Sequence, residues 1–422
     1  FGIALLPIFP TIANTTDINP NTLRLYFLIY LIGTTISLRI SYHAIIIQAD
    51  QKQYITTFYI SSAQILQLFA QIAVLVFTQN FYLYALMFAL ANGSKFIFVK
   101  HRSETLFSYL RGKTKTFKKL PKETLSKIKK ETIVLIFHKM GFSITMSIEC
   151  ILLSYLLGAS TLGIFTNYQL VILGIATGIA FMQKSFESSI GNLCSIDTKE
   201  KAYKWFLNIN HVYSLSFGYL IVLLMSLYLP FFNLLYPKAK TFDYTTTLLI
   251  SLTMYFFYKI LIVSIYESSY GIFYQDRFKP FLQTFISLTL AIILGNKFGA
   301  KGIFSAIIIS ELTTSTWIEP YMVFKHGFKT TSSLYWIDYA KNAFIVGSTA
   351  AISYFSTKPM NLNALSSMLI NWLITTLSYF ILISIIFPQN GKSIINWILR
   401  KNKTNTNITN FMDIDVIGEN FK

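Results

Sequence analysis

Apolar residues fill this chain in blocks of about twenty, parted by short polar or basic stretches, from the first residue to the region of residue 387. As an α-helix, a block of that length crosses a hydrocarbon core of about 30 Å, and it is longer than soluble strands or core helices need. The pattern predicts spans over 23–47, 55–77, 81–99, 133–157, 161–183, 206–229, 244–266, 280–295, 303–324, 341–356 and 365–387, with 1–12 as the end of a further one. The expected fold class is therefore all-α: a polytopic membrane protein with eleven complete spans and one partial. Ile, Phe and Tyr are abundant, but they do not alternate in the ~10-residue segments of a membrane barrel. The chain opens inside an apolar block, FGIALLPIFP, with no initiator Met, basic n-region or cleavage site. The expectation is a fragment whose beginning lies upstream, with no signal peptide.

Composition agrees: 53% of residues are hydrophobic and 13% charged, with a mean hydropathy of +0.51. The charges then orient the spans. Loops 48–54, 100–132, 184–205, 267–279, 325–341 and 388–403 hold twenty-five Lys and Arg, and the alternate loops hold six. Positive residues stay on the cytoplasmic side, so the first set and the C-terminus are expected there. The net charge of +18 is then mostly topology, with some contact to anionic lipid. Loop 100–132 alone carries eleven cations. Flanked by apolar spans, it reads as a membrane-surface connector between two helix groups and not as a nucleic-acid patch.

Against this background a few ionisable residues are stranded. A charge at the bilayer centre costs roughly 2.5–3.5 kcal/mol even on insertion scales, so each needs an explanation. Lys95 and Lys139 lie near cytoplasmic span ends and are expected to snorkel. Arg39, four residues from His43 on one helix face, suits an interface or a cavity equally. Lys259, nearer mid-span and followed at helical spacing by Glu267, calls for a polar cavity or a buried partner. Glu149 and Glu311 either neutralise one of these cations or bind a coupling proton or sodium ion. His138 and His211, near helix ends, are expected at the interface. Together these residues describe a cation-rich interior suited to an anionic substrate.

Enzymatic readings find little support. No HExxH, Walker loop or GxSxG occurs, and there is no cofactor fingerprint. Cys150 and Cys194 support neither a disulfide framework nor a metal site. A membrane glycosyltransferase or polymerase needs a large functional loop, yet the longest outer loop, 230–243, has only Asp243, Lys238 and Lys240 as charges. A transporter is the better reading; a non-transporting assembly scaffold stays open beside it.

LGIFTNYQL (Leu162–Leu170) and SSIGNL (Ser188–Leu193) resemble bacterial polysaccharide flippases of the Wzx type. ADQKQYI (Ala49–Ile55), YGIFYQDRFKP (Tyr270–Pro280), GAKGIFSA (Gly299–Ala306) and WIEP (Trp317–Pro320) agree in order and spacing. That family belongs to the multidrug/oligosaccharidyl-lipid/polysaccharide exporter superfamily, whose two six-helix lobes enclose a central cavity. The resemblance implies a truncated N-lobe over 1–99 (the third to sixth family helices), the basic linker 100–132 and a C-lobe over 133–325. Two additional helices over 326–388 and a cytoplasmic tail over 389–422 follow. It implies flipping of undecaprenyl-pyrophosphate-linked oligosaccharide across the bacterial cytoplasmic membrane, with polysaccharide polymerase and glycosyltransferases as candidate partners and no cofactor. Arg39, Lys259 and Lys139 are the candidate pyrophosphate contacts, and Glu149 and Glu311 the coupling or pairing acids. Asn167, Gly191 and Asn192 are read as helix-packing residues. Two positions depart from the family pattern: Glu149 stands where Asp is frequent, and Glu267 where Arg is. The alternatives within transport are a cation-coupled multidrug exporter, which would favour an acidic cavity, and a lipid II flippase.

Overall fold

The computed structural model describes residues 2–14, 18–50, 52–107, 121–235, 240–272, 278–357 and 363–388. The side chains of His138, Lys139 and Ser188 lie outside the described residues, as do the C-terminal tail and 108–120 of the basic loop. Among the described residues there is no strand, and the protein is all-α. The chain divides into two compact units, Phe1–Leu125 and Ser126–Lys422.

In the first unit, two short helices, α1 (Gly2–Leu5) and α2 (Phe9–Ala13), precede three long ones: α3 (Pro20–Ala49), α4 (Gln53–Thr78) and α5 (Phe81–Leu106). Asn80 caps α5, its side chain accepting from the backbone N–H of Tyr82 and Leu83. Helix α5 packs along both α3 and α4. Gly33 of α3 makes room for this, since a Cβ there would sit 2.8 Å from the Phe88 ring. Tyr26 meets Phe81 edge-on, with ring centroids 4.8 Å apart. The outward faces are apolar, with Phe58, Phe69 and Phe77 67–83% exposed. A surface of that kind is stable in lipid and aggregates in water.

The second unit begins with α6 (Lys122–Leu157), α7 (Ala159–Ile196) and α8 (Lys199–Leu235). Then come α9 (Tyr244–Lys259), α10 (Leu261–Ser269), α11 (Lys279–Phe298), α12 (Ala300–Thr313) and α13 (Ser315–Met322), which runs into a π-helical turn at Val323–Phe328. Helices α14 (Ser333–Thr357) and α15 (Ala364–Ile386) close the described chain. Helix α8 carries fourteen buried residues and contacts α9, α14 and α15. Its Phe206 sits in an aromatic layer with Tyr266, Phe324, Phe328 and Tyr335. In the family-like LGIFTNYQL stretch, Phe165 and Tyr168 face inward at 1% exposure each. Glycine shapes the α11–α12 hairpin. Gly299 turns it at φ +62°, and at Gly302 a Cβ would fall 2.0 Å from the Leu294 carbonyl oxygen. Just outside a span, Asp243 meets Thr246 and Lys301. Partial burial works to raise its carboxyl, but those hydrogen bonds and the Lys301 charge outweigh it and hold the pKa below the ordinary value.

Eight helices of the described chain are long and apolar enough to cross a membrane. Two sequence-derived spans prove to be broken rods. The span at 244–266 is interrupted at Ile260 (φ −88°, ψ 4°), between α9 and α10. That at 303–324 breaks at Thr314 (φ −121°, ψ −88°), between α12 and α13. Neither break contains glycine or proline, so hydropathy and turn residues gave no warning of it.

Candidate functional site

Both breaks border one cavity of about 300 Å³ inside the second unit. Its polar lining comes from Gln183 of α7, Ser264 and Glu267 of α10, and Lys279 and Gln283 of α11. Glu311 of α12, with Ser315 and Glu319 of α13, completes it. A helix that stops mid-membrane leaves backbone carbonyls without their intrahelical donors, which protein groups or a cavity must satisfy. Here the Tyr213 hydroxyl donates to the Tyr258 carbonyl at 2.8 Å, while the Ser310 carbonyl keeps its intrahelical donor, the Thr314 N–H, and also accepts from Thr314 Oγ1 at 2.5 Å.

The polar side chains are held in order. Ser310 Oγ donates to the Gln283 carbonyl at 2.9 Å, and Ser315 Oγ donates to Gln283 Oε1 at 2.9 Å. With its oxygen thus engaged, Gln283 turns its amide N–H toward Glu311 and donates to that carboxylate. Lys279 forms an ion pair with Glu319. Glu267, Glu311 and Glu319 are 2–5% exposed and Lys279 is 7% exposed. Among the described residues, three carboxylates and one ammonium thus line this low-dielectric site. Among the described residues no three acidic, His or Cys side chains are grouped to hold a metal ion. What this arrangement can do is take up a proton or a monovalent cation.

Of the residues singled out from the sequence, Glu311 lies in this cavity, and Glu267, expected at the cytoplasmic mouth, is buried beside it. Glu149 is elsewhere on α6, accepting from Gln169 Nε2 at 3.5 Å. Among the described residues of the second unit neither Glu149 nor Glu311 forms an ion pair with Lys259. Arg39 is exposed on α3, whereas His43 turns to Ser103 of α5, 2.7 Å away. Lys259 is 1% exposed and does not line the cavity, although Tyr258 and Ile260 on either side of it do. Asn167 is half-buried, Gly191 approaches Ser269, and Asn192 is exposed.

One expectation is corrected. Lys95 does not snorkel: it is 6% exposed, and its ammonium donates to Gln67 Oε1 at 3.3 Å and Asn92 Oδ1 at 3.4 Å. Gln67 and Gln71 sit one turn apart on α4 and form an amide ladder that ends on the Tyr84 carbonyl, so the cation finds partners without leaving the bundle. His211, near a helix end, is 8% exposed, with Nδ1 2.5 Å from Asp338 Oδ1. The sequence reading missed Lys279, Gln283, Glu319 and Asp338 as interior polar residues. The signal for two of them was present, because Lys279 and Glu319 belong to the FKP and WIEP ends of motifs used only for family resemblance.

No protein-family model matches this chain, and no curated protein matches it. Among solved structures, the lipid II flippase MurJ in its inward closed conformation is similar in fold, with a TM-score of 0.59 at 14% identity. The match covers 92% of this chain and 81% of MurJ. The protein is thus an all-α, multi-pass membrane protein with a MurJ-like fold.

Proposed function

We propose that this protein is a flippase for a polyprenyl-linked saccharide in the bacterial cytoplasmic membrane, working by alternating access with its C-terminus in the cytoplasm. The observation that carries this reading is the MurJ-like fold over 92% of the chain. Motifs resembling those of polysaccharide flippases support it, and favour an undecaprenyl-pyrophosphate-linked oligosaccharide as the substrate. A second reading, lipid II itself, is favoured by the name of the structural neighbour. In either case sugars need a hydrated path while the polyprenyl tail stays in lipid, because burying unpaired hydroxyls is costly. Arg39, exposed on its helix, would meet the pyrophosphate as a charge-assisted partner, with Lys139 of α6 beside it in role. The Glu311 cavity would take the coupling proton or sodium ion, and Glu149 is a second candidate acid.

The test is complementation by the full-length protein that contains this sequence, in two hosts. One lacks its polysaccharide flippase, and the other is depleted of its lipid II flippase. Restored surface polysaccharide in the first host is the expected result. Rescue of the second host alone identifies lipid II as the cargo, and failure in both overturns the proposal. Arg39→Ala is expected to lower export about tenfold, as loss of one charge-assisted contact worth ~1.5 kcal/mol would.

A further inference from the structure

Lys259 is a cation that the carboxylate cavity does not account for. It ends α9 at 1% exposure, and its ammonium makes no hydrogen bond among the described residues. The ring of Tyr339 lies 5.4 Å from it. An unsolvated ammonium in an apolar interior is expensive, and one π contact of ~2 kcal/mol does not replace its hydration.

Its counter-charge comes from another helix. Asp338 of α14 directly precedes Tyr339, whose ring lies 5.4 Å from the Lys259 ammonium, and makes no direct ion pair with that ammonium among the described residues. The same carboxylate meets His211 Nδ1 of α8 at 2.5 Å and accepts from Asn342 Nδ2 at 3.1 Å. Three helices thus bring an ammonium, a carboxylate and an imidazole into one buried patch, which is neutral overall when the imidazole is neutral.

The same patch collects buried polar atoms that no described residue satisfies. On α8 these are Asn210 Oδ1 and Ser214 Oγ, on α9 the Tyr255 hydroxyl, and on α14 the Tyr335 hydroxyl and Asn342 Oδ1. Asn210 and Ser214 are four residues apart, as are Tyr255 and Lys259, and Tyr335, Asp338, Tyr339 and Asn342 follow the spacing of one helix face. The unsatisfied atoms include donors and acceptors alike. An anion would be repelled by Asp338 and a cation by Lys259. Water alone suits both kinds of atom, since a buried water typically makes about three hydrogen bonds to such groups.

We propose that Lys259, Asp338 and His211 form a hydrated ion cluster within the second unit, in which internal water bridges the ammonium to the carboxylate and fastens α14 to α8 and α9. Lys259 is then the partner of α14 and not a contact for the substrate's pyrophosphate. This inference is independent of the proposed function.

Radiolytic footprinting of the intact protein tests it, because hydroxyl radicals formed from bound water oxidise the buried side chains that touch that water. Tyr255 and Tyr335 should be oxidised several-fold faster than Tyr168 and Tyr228. All four are 1–3% exposed, but the hydroxyls of the latter two are already engaged by Thr247 and the Tyr168 carbonyl. Equal rates overturn the proposal, as does selective suppression of the fast sites by chloride or phosphate, which would place an anion there. Lys259→Met, Asp338→Asn and the double variant form the second arm. Each single change should lower the melting temperature or prevent folding, and the double should recover part of the loss because no charge is left unpaired. Strictly additive losses count against the ion pair.

Discussion

At the scale of single residues, two kinds of position are strongly constrained. Glycines are the first. Gly302 lets α12 approach so closely that an added methyl would overlap the Leu294 carbonyl. Gly302→Ala should therefore destabilise the hairpin by about 2 kcal/mol or more, read as a lower melting temperature in detergent. Gly163, with open space around its Cβ position, should tolerate the same change. Interior cations are the second kind. Arg39, Lys95 and Lys259 look alike in a hydropathy trace, yet the first is exposed, the second is held by amides, and the third lies under an aromatic ring. Side-chain surroundings separate them, and those surroundings come from other helices.

At the scale of elements, the breaks at Ile260 and Thr314 matter more than the unbroken rods. They let polar groups of α10, α12 and α13 meet α11 around one cavity while their backbone groups stay bonded. Helix α15 lies along both α8 and α14. The Tyr379 hydroxyl donates to the Leu215 carbonyl of α8 at 2.7 Å, over a surface kept open by Gly218. Tyr379→Phe should cost about 1 kcal/mol, the worth of one buried hydrogen bond, while leaving the ring packing intact. A thermal melt of the purified variant checks this, with the unchanged melting point of an exposed substitution such as Ile381→Leu as the control.

At the scale of the whole molecule, the proposed flippase activity needs an energy source as well as a path. The Glu311 cavity is the place in the described chain where several buried carboxylates share one ammonium. If it binds the coupling cation, Glu311→Gln should leave the protein folded, because shape and hydrogen-bonding capacity are kept. It should also abolish the acceleration of transport by an imposed gradient. Proteoliposomes with a proton or a sodium gradient, compared with none, measure this directly. Unchanged gradient dependence would remove Glu311 from the coupling role.

Hydrophobic blocks, basic loops and the family-like motifs were enough to establish an all-α polytopic membrane protein, because crossing lipid is a demand each helix meets from its own sequence. The apolar character of α8 and the burial of Phe165 and Tyr168 follow from the same local rule. Pairing of polar groups does not. Lys279 and Glu319 are forty residues apart and His211 and Asp338 are 127 apart. Whether such groups meet depends on how each helix is rotated about its axis and where it breaks. Those quantities arise from packing between helices, so only the tertiary structure decided that Glu311 shares a cavity with Lys279, and that Lys259 lies outside it against the Tyr339 ring.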